Sequence, residues 1–323
     1  MAVYTQVSAE AAQILLDRYD VGRLVSMKGI AEGVENSNYL LETDRARFIL
    51  TLYENRVDPA DLPWFHDLLA HLHQAGSPVP RFIEDRGGQW LQDLASKKAC
   101  LIEFLPGISV SEPLPEQARA VGAALAKMHV SVMGFEQQKP NRLGIDSWQA
   151  LFDRCEHSAA NELSAGLADD IAAELTWLVA QWPNNLPACA VHTDLFPDNV
   201  LFKGETLGGL IDFYFACTDF RAYDLAVTHA AWCFSADGSM FNQAISDALI
   251  GGYSDIVRLE ESEIQLFLVL ARGASMRFLL TRLFDWINTP PDAIVTRKDP
   301  LAFHRRLQFY RTAAADQLFG RRQ

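Results

Sequence analysis

The feature that most constrains the fold is a change in hydrophobic periodicity near Gly107. Before this glycine, apolar and polar residues alternate in short runs, as in half-buried strands, and the clearest runs are Arg23–Met27, Ser37–Glu42 and Arg47–Tyr53. After it, apolar residues recur at helical spacing, and one predicted helix face carries Ala118, Val121, Leu125 and Met128. This order predicts an α+β protein with a small sheet-rich lobe at residues 1–105 and a larger, mostly helical lobe at residues 106–323.

The first lobe is predicted to contain helices as well as strands. Ser8 is a suitable N-cap for a helix whose apolar face holds Ala11, Ile14, Leu15 and Tyr19. A tight turn at Thr43–Arg45 joins two strands, a second helix ends at Gly76, and a hairpin follows whose last strand runs Ala99–Phe104. A cleft between two such lobes is a common place for a small-molecule site.

Composition narrows the class of partner. Hydrophobic residues make up 49% of the 323-residue chain and charged residues 21%, an ordinary globular balance. The formal net charge of -13 argues against a nucleic-acid-binding surface, which needs a basic footprint, and gives no support for binding an anionic membrane. We therefore expect a small-molecule substrate, no nucleic acid and no membrane.

The cysteines and the apolar stretches indicate the cellular compartment in which the protein resides. The five cysteines are scattered and form no C-x-x-C pair, as expected of reduced, mostly buried thiols. The stretch MAVYTQVSAE lacks the basic start and apolar run of a secretory signal, and LFLVLARGASM is interrupted by Arg272 before it reaches the length of a membrane span. These features predict a cytoplasmic protein.

One short run concentrates polar residues between two hydrophobic segments. VHTDLFPDNVLF places His192, Asp194 and Asn199 between a strand-like lead-in and a strand-like exit. The triplet P-D-N is an ordinary turn former, so a structural turn is the simpler alternative to a catalytic loop. The residues that follow are needed to decide between the two.

A second polar position follows in GGLIDF. Gly208 and Gly209 are expected to turn the chain back, so that NVLF and GLIDF form a hairpin. Asp194 and Asn199 lie before the first strand of that hairpin and Asp212 lies at the end of the second. We therefore expect the three side chains to converge.

These side chains are a set that phosphoryl transfer requires. One carboxylate must hold and deprotonate the attacking hydroxyl, and a carboxylate with an amide must hold Mg²⁺ against the nucleotide phosphates. The order H-x-D-x-x-x-x-N, a hydrophobic strand, then D-F is that of kinase catalytic loops. The combination favours a catalytic loop over a structural turn.

Two neighbouring residues are expected to support this loop. His192 belongs to it as a catalytic-loop residue, and its expected role is to hold the backbone by hydrogen bonds rather than to transfer a proton. Asp224, in DFRAYDLA, is either a third metal ligand or a brace for the loop at the start of a helix. We favour the brace.

Residues of the first lobe are expected to cover a nucleotide. Gly29 and Gly33, in KGIAEGVENSNY, provide a loop whose backbone N–H groups can face phosphates, although two glycines between strands are usually just a turn. Lys28 stands at the mouth of this loop. The backbone of EFLPG, through Glu103 and Leu105, can pair with an adenine edge.

The chain resembles the aminoglycoside phosphotransferase and choline kinase superfamily, whose members are relatives of protein kinases. The resemblance covers roughly residues 25–285 and includes HTDLFPDN with LIDF, ALAKMH, GSPVP and EFLPG. More narrowly, GIAEGVENSNYLLETDRARFILTLYE and HTDLFPDNVLF resemble the bacterial homoserine kinases built on this fold. Antibiotic kinases of the superfamily more often have a glycine where Asp198 stands.

This resemblance implies a bilobal protein kinase-like fold that uses ATP and Mg²⁺. It implies transfer of the γ-phosphate to the side-chain hydroxyl of L-homoserine, which makes O-phospho-L-homoserine for threonine biosynthesis. By the same resemblance, Asp194 is the base, and Asn199 and Asp212 are the metal ligands.

One position departs from the superfamily pattern. Protein kinases and many relatives hold the α- and β-phosphates with a lysine or arginine on the third strand, and that place falls on Thr51. Lys28 can compensate, whereas Arg45 and Arg47 are expected to point to solvent. The helix carboxylate that pairs with such a lysine is also hard to place, because its position falls near Phe65.

An amino-acid substrate adds its own requirements. A guanidinium group suits its carboxylate because the fork of N–H donors pairs with both oxygens. Arg277 and Arg282 do not share one face of their helix, and one of them is expected to face the cleft, with a salt bridge as the equal alternative. The other candidate contacts are Glu32, Glu35, Asn36 and Tyr214.

Other functions stay open. A kinase of choline or of an aminoglycoside keeps the fold and changes the substrate; the first favours an aromatic cage and the second an acidic cluster. A nucleotide-binding pseudokinase is supported only by the absent strand lysine and is opposed by the intact catalytic set. A protein kinase is disfavoured because no A-P-E motif follows Asp212. The sequence does not indicate an oligomeric state.

Overall fold

The computed structural model describes residues 4–30, 36–54, 57–289 and 297–319. It divides into two compact units. Of the described residues, the first unit holds those of Met1–Pro106 with Gly209–Tyr214, and the second holds those of Gly107–Gly208, Phe215–Pro291 and Thr296–Gln323. The first segment thus ends one residue after the expected boundary, and a short later segment joins it.

The first unit contains a six-stranded sheet and helices. Its elements are α1 (Ala9–Leu16), β1 (Leu24–Gly29), β2 (Ser37–Thr43), β3 (Arg47–Leu52), α2 (Leu62–Gln74), β4 (Phe82–Ile83), β5 (Leu91–Leu94) and β6 (Lys97–Glu103). The strand order is β1-β2-β3-β6-β4, with β5 also paired to β6, and the pairings are antiparallel. The three predicted strands are confirmed, with ends shifted by one or two residues.

The core of the first unit follows the two-residue period of its strands. Leu41 on β2, Leu50 on β3 and Leu101 on β6 are fully buried and pack in one hydrophobic cluster with Leu15 and Leu16 of α1. Because side chains alternate between the two faces of a sheet, strands with this pattern bury one row of residues. Burial of each such leucine stabilises the fold by roughly 1.5–3 kcal/mol.

Two local expectations in this unit are wrong. Ile14 is 64% exposed rather than buried, because α1 ends at Leu16 and presents Ala12, Leu15 and Leu16 to the core. Gly29 was expected in the loop after the first strand, but it is the last residue of β1 and pairs with Tyr39. The ladder continues with a hydrogen bond from the N–H of Ile30 to the carbonyl of Asn38.

The second unit is mostly helical. Its helices are α3 (Pro115–Ser131), α4 (Ile145–Asp153), α5 (His157–Leu163), α6 (Leu167–Gln181), α7 (Arg221–Trp232), α8 (Gln243–Ser254), α9 (Glu261–Asn288), α10 (Leu301–Thr312) and α11 (Ala315–Phe319). The predicted apolar face of α3 is confirmed, since its four residues Ala118, Val121, Leu125 and Met128 are buried. Helical periodicity therefore identified the packing face correctly.

The strands of this half lie around the polar run. They are β7 (Ala188–Val191), β8 (Val200–Lys203), β9 (Thr206–Leu210) and β10 (Cys217–Phe220), with β7 paired to β10 and β8 paired to β9. The predicted hairpin is present. The prediction that it turns at Gly208 and Gly209 is wrong, because both glycines lie within β9. The turn is at Gly204, whose φ of +63° suits the first position of a two-residue hairpin loop.

The end of β9 explains why Gly209–Tyr214 belongs to the first unit. The N–H of Leu210 donates a 2.8 Å hydrogen bond to the carbonyl of Pro78. A Cβ atom on Gly209 would lie 2.6 Å from Cδ1 of Leu105, so the glycine permits a close approach rather than a turn.

Helices α3 and α8 approach closely through glycines. A Cβ atom on Gly122 would lie 2.0 Å from the backbone oxygen of Leu249, and one on Gly252 would lie 2.1 Å from the backbone oxygen of Arg119. Any larger side chain at either position would force the two backbones apart.

Helix α9 is long and apolar enough to cross a membrane by length and composition, with a mean hydropathy of 1.4 over its most apolar window. However, 61% of that window is buried inside the protein, and Arg277 lies within the helix with only 2% exposure. The helix therefore has the features of a core helix.

Candidate active site

The polar run forms a short loop between β7 and β8. The side-chain Nδ2 of Asn199 donates hydrogen bonds to the backbone oxygen of Asp194 at 2.7 Å and to its carboxylate Oδ2 at 3.1 Å. One turn of 3₁₀ helix, Pro197–Asn199, returns the chain so that these side chains meet. The structure thus brings together two of the three predicted catalytic side chains.

The donors in this loop suit a hard divalent cation. Both hydrogen bonds use Nδ2 of Asn199, so the amide oxygen Oδ1 is the atom that it presents to a ligand. Mg²⁺ is usually held by one or two protein oxygen ligands together with waters and phosphate oxygens. Across the described ranges, no group of three or more His, Cys, Asp or Glu side chains is placed to hold a metal. Asn199 can therefore supply one oxygen ligand to such a cation.

Asp212 lies just beyond β9, in the segment that belongs to the first unit. Its φ of +65° is in the left-handed region, which few residues other than glycine occupy. Such strain clusters at functional sites. Asn199 immediately precedes β8 and Asp212 follows its partner β9, but the convergence of the catalytic set stays a prediction.

Asp224, on α7, holds the backbone of the loop. Its Oδ2 accepts a 2.8 Å hydrogen bond from the N–H of His192, and its Oδ1 accepts a 2.7 Å bond from the N–H of Thr193. Thr193 has a φ of +58°, so these bonds hold a residue whose backbone is strained. The contacts are those of the brace that the sequence favoured.

The buried carboxylate of Asp224 is itself paired. Nε2 of His129 lies 3.0 Å from its Oδ2, and Nδ1 of the same ring lies 2.8 Å from the hydroxyl of Tyr253. Burial acts to raise the pKa of Asp224, but the hydrogen bond and charge of His129, with those of His192, outweigh it and hold the pKa below its usual value. Asp224 is therefore ionised at neutral pH.

His192 is fully buried, and its ring also serves the loop. Its Nδ1 accepts a 3.2 Å hydrogen bond from the backbone N–H of Asp194. This contact agrees with the expected role of holding the backbone.

Arg277 lies under the loop. Its Nη1 donates a 2.6 Å hydrogen bond to the carbonyl of Thr193, and its guanidinium lies over the ring of Phe278. Because the residue is 2% exposed, this position favours support of the loop over direct contact with a substrate.

Arg282 has a different environment. It is half-buried, its Nη1 lies 3.3 Å from the backbone oxygen of Asp299, and its guanidinium stacks over Phe303 at 4.5 Å. Burial lowers the pKa of Arg282 to about 10, while the charges of Asp194 and nearby acids act to raise it. Among the residues that the structure describes, neither Arg282 nor Arg277 forms the salt bridge that was the alternative.

Tyr214 packs within the first unit. Its hydroxyl lies 3.2 Å from that of Tyr53, and its ring makes edge-to-face contacts with Tyr53 and Phe65. Burial raises the pKa of Tyr214 well above its ordinary value. These contacts favour a packing role over the predicted contact with an amino acid.

The predicted nucleotide residues are only partly described. Lys28 is exposed on β1 opposite Leu40, whereas Gly33 and Glu35 lie outside the described residues, as does the further candidate Glu32. Thr51, at the place of the strand lysine, is buried and its hydroxyl donates a 2.7 Å hydrogen bond to Asn38.

The remaining predicted contacts lie at the end of the first unit. The carboxylate of Glu103 pairs with Nε of Arg81 at 3.1 Å, and Leu105 packs against Gly209.

Arg45 and Arg47, at the turn between β2 and β3, are exposed to solvent as expected, and Arg45 pairs with Asp20 on the surface.

The sequence did not identify three supports of the loop. The strain at Thr193 has no signal in the sequence, because β-branched residues rarely adopt a positive φ. His129 lies in ALAKMH, and nothing in that motif indicates its partner. The ring N–H of Trp232 donates a 2.8 Å hydrogen bond to the carbonyl of Leu195, and its sequence position does not indicate this contact either. Their helical spacing could have indicated burial, but not their partners.

Comparisons with known proteins agree with this geometry. A model of the phosphotransferase enzyme family (APH) matches residues 26–259. The homoserine kinase of Zymomonas mobilis subsp. mobilis is 50% identical over 98% of this chain and 99% of its own length. The homoserine kinase of Methylorubrum populi is 49% identical over 99% of each chain.

Solved structures share the fold at low sequence identity. Amicoumacin kinase hAmiN, in complex with AMP-PNP, Ca²⁺ and Ami, has a TM-score of 0.70 at 13% identity and covers 96% of this chain and 95% of its own. Choline kinase from Cryptosporidium parvum has a TM-score of 0.67 at 13% identity, with 94% of each chain covered. The α+β fold is therefore that of the aminoglycoside and choline kinases, and the chain belongs to the phosphotransferase enzyme family.

Proposed function

We propose that this protein transfers the γ-phosphate of ATP to the side-chain hydroxyl of L-homoserine and makes O-phospho-L-homoserine for threonine biosynthesis. The observation that carries the reaction class is the loop in which Asn199 binds and orients Asp194. The substrate is supported by relatives that are named homoserine kinase and match at about half identity over nearly the full chain. Choline and aminoglycosides are less well supported, because the kinases that act on them match at far lower identity.

Asp194 is the proposed base. Its carboxylate accepts the proton of the substrate hydroxyl as that oxygen attacks the γ-phosphorus. The hydrogen bond from Asn199 fixes the direction of the carboxylate, and Asp224 and Arg277 fix the backbone on its N-terminal side. Positioning of this kind lowers the entropic part of the barrier.

Asn199 and Asp212 are the proposed ligands of Mg²⁺. The ion, when bound, neutralises charge that develops on the phosphate oxygens. Asn199 offers its amide oxygen, and Asp212 offers a carboxylate on a strained backbone. An amide and a carboxylate are hard oxygen donors that fit this ion.

The other predicted contacts are part of the proposal. Lys28 and the segment that contains Gly29 and Gly33 hold the phosphates, since the third-strand position is occupied by a threonine. The backbone from Glu103 to Leu105 pairs with the adenine edge. Of the predicted contacts for the amino acid, we propose Arg282 and Glu35, because the contacts of Arg277 and Tyr214 favour support of the loop and packing.

We also propose a cytoplasmic setting. All five cysteines are free, and four of them are buried. Unpaired buried thiols are typical of proteins from a reducing compartment.

The test is release of ADP by the purified protein with Mg-ATP, measured in parallel with L-homoserine, choline and kanamycin. We expect turnover with L-homoserine and at most a background rate with the other two. Turnover with choline or kanamycin alone would contradict the substrate and keep the reaction class. No turnover with any hydroxyl compound of a wider panel, despite ATP binding, would favour a pseudokinase.

A further inference from the structure

Three phenylalanine rings pack together beside the catalytic loop. They are Phe196 of the loop, Phe278 of α9 and Phe303 of α10, with centroids 4.8, 4.9 and 6.0 Å apart. Four cations lie over these rings: Arg277 at 4.7 Å, Arg282 at 4.5 Å, Arg306 at 4.5 Å and Lys298 at 5.9 Å. In a chain with a formal net charge of -13, this cationic ring cluster is a local concentration of positive charge.

Among the residues that the structure describes, the arginines of this cluster have no acidic partner. Other partly buried arginines of the second unit pair with carboxylates: Arg221 with Glu263, Arg272 with Glu174, and Arg311 with Asp170. Within the described part of the chain, no carboxylate lies at ion-pair distance from Arg277, Arg282 or Arg306. Because removing a cation from water without a counter-ion costs free energy, this arrangement points to an anionic ligand.

Two of the arginines donate to backbone carbonyls, although the buried Nε of each has no hydrogen-bond partner among the described residues. Arg277 donates to the carbonyl of Thr193, and Arg306 donates to those of Ala302 and Ser235. Each is almost fully buried, with 2% and 4% exposure. Both therefore support the surrounding chain.

Arg282 is the exception. Within the described residues it makes one hydrogen bond, a long one of 3.3 Å from Nη1 to the backbone oxygen of Asp299. A guanidinium has five N–H donors, so most of those on Arg282 are left for a ligand. The side chain is half-buried, and Phe303 supports one face of the group.

Arg282 is joined to the loop through the ring cluster, since its guanidinium stacks over Phe303 and the ring of Phe303 packs against Phe196, two residues after Asp194. The charges of Asp194 and Asp198 both act on its pKa, which burial lowers to about 10, so the group stays cationic at neutral pH. Lys298 forms an ion pair with Asp198 of the loop at 3.7 Å, so its charge is already compensated, whereas Arg282 has no such pair among the described residues.

We propose that Arg282 binds the α-carboxylate of the hydroxy amino acid substrate and so selects for it. The inference rests on the proposed function and names the residue that recognises the acid group. In homoserine the hydroxyl oxygen and the carboxyl carbon are about 5 Å apart when the chain is extended. A hydroxyl held at Asp194 thus sets the carboxylate within reach of a neighbouring guanidinium, whose fork matches its two oxygens.

The experiment compares two alcohols that differ by the carboxylate. L-Homoserine and 3-aminopropan-1-ol share the hydroxyl and the amine, and only the first carries the acid. Steady-state rates are measured for the wild type, Arg282→Gln and Arg282→Lys. Arg119→Gln is the matched control, because Arg119 is an exposed arginine paired with Asp255 on the surface.

We expect Arg282→Gln to lower kcat/KM for L-homoserine about 100-fold, chiefly through KM, and to change kcat/KM for 3-aminopropan-1-ol by less than about threefold. Arg282→Lys keeps a positive charge but not the fork of donors, so its kcat/KM for L-homoserine should lie between those of the wild type and Arg282→Gln. Arg119→Gln should match the wild type with both alcohols. An equal loss with both substrates in Arg282→Gln would overturn the proposal, since it would show a role that ignores the carboxylate.

A binding measurement separates this proposal from the proposed function. L-2-Aminobutyrate keeps the carboxylate and amine of homoserine but has no hydroxyl, and its binding is measured by calorimetry with AMP-PNP and Mg²⁺. Binding to the wild type that Arg282→Gln weakens at least tenfold supports the carboxylate site, even if homoserine is not turned over. Equal affinity in the two proteins, or no binding to the wild type, overturns it.

Discussion

The guanidinium of Arg277 donates a 2.6 Å hydrogen bond to the carbonyl oxygen of Thr193, the residue before the proposed base. Thr193 has a φ of +58°, which is costly for a β-branched residue. Asp224 holds the N–H of the same residue at 2.7 Å. Two buried charged side chains therefore fix both backbone polar groups of one strained residue, and this sets the direction in which Asp194 projects.

Arg277→Met should remove the hydrogen bond to Thr193 and keep much of the side-chain volume. We expect kcat to fall about 100-fold, because small displacements of a catalytic group have effects of this size. The free energy of unfolding should fall by about 2–3 kcal/mol, since the bond involves a charged donor. Steady-state kinetics and urea titration measure the two effects, with Arg119→Gln as control. A normal kcat in a folded Arg277→Met protein would show that the loop holds its geometry without this bond.

Asp194→Asn should abolish proton acceptance with little change in shape. We expect kcat to fall about 1000-fold, within the range known for general bases, while the affinity for ATP measured by calorimetry stays within about threefold. The amide can still meet the side chain of Asn199, so the loop is expected to fold. Near-normal turnover in this variant would rule out Asp194 as the base.

His229 should make stability fall in acid. Burial lowers its pKa from 6.5 to about 3, and its ring nitrogens contact the hydroxyls of Tyr310 and Ser246. The unfolded chain therefore binds the proton more readily, so this contribution to stability is present above pH 6.5 and is lost as the pH falls toward 3. At pH 5 the loss is on the order of 2 kcal/mol.

Urea titrations between pH 4.5 and 7.5 test this expectation. His229→Gln should be less stable than the wild type at neutral pH but should show a flatter decline in acid. His73→Gln is the matched control, because His73 is exposed on α2 and should follow the wild-type slope. Parallel curves for His229→Gln and the wild type would contradict the assignment.

Neighbouring glycines on α8 provide a test of helix packing. Gly252→Ala would bring a Cβ atom to 2.1 Å from the backbone oxygen of Arg119, whereas Gly251→Ala meets only the mobile end of the Arg119 side chain. We expect Gly252→Ala to lower the free energy of unfolding by about 3 kcal/mol and Gly251→Ala to leave it unchanged or raise it by up to about 1 kcal/mol. Thermal and urea unfolding measure the difference; equal effects would mean that α3 and α8 can separate without cost.

Several features could be predicted from the sequence because they depend on neighbours along the chain. The alternation in β2 and β3 and the buried face of α3 follow from local periodicity. The positions of Asp194 and Asn199 in one loop follow from their spacing between two strands. The turn of the β8–β9 hairpin was placed wrongly, because three glycines occur near it and only Gly204 has the positive φ that the turn requires.

The sequence by itself thus determined the order of the strands and helices and the chemistry available in the catalytic loop. The tertiary structure decided which distant side chains hold that loop. Asp224 and Arg277 contact it from different helices, His129 of a third helix pairs with Asp224, and the hydroxyl of Tyr214 contacts that of Tyr53. It also decided that Arg277 is buried under the loop while Arg282 is half-buried over Phe303. Spacing along one helix shows that two arginines face different ways, but only the packing of the other helices shows what each one meets.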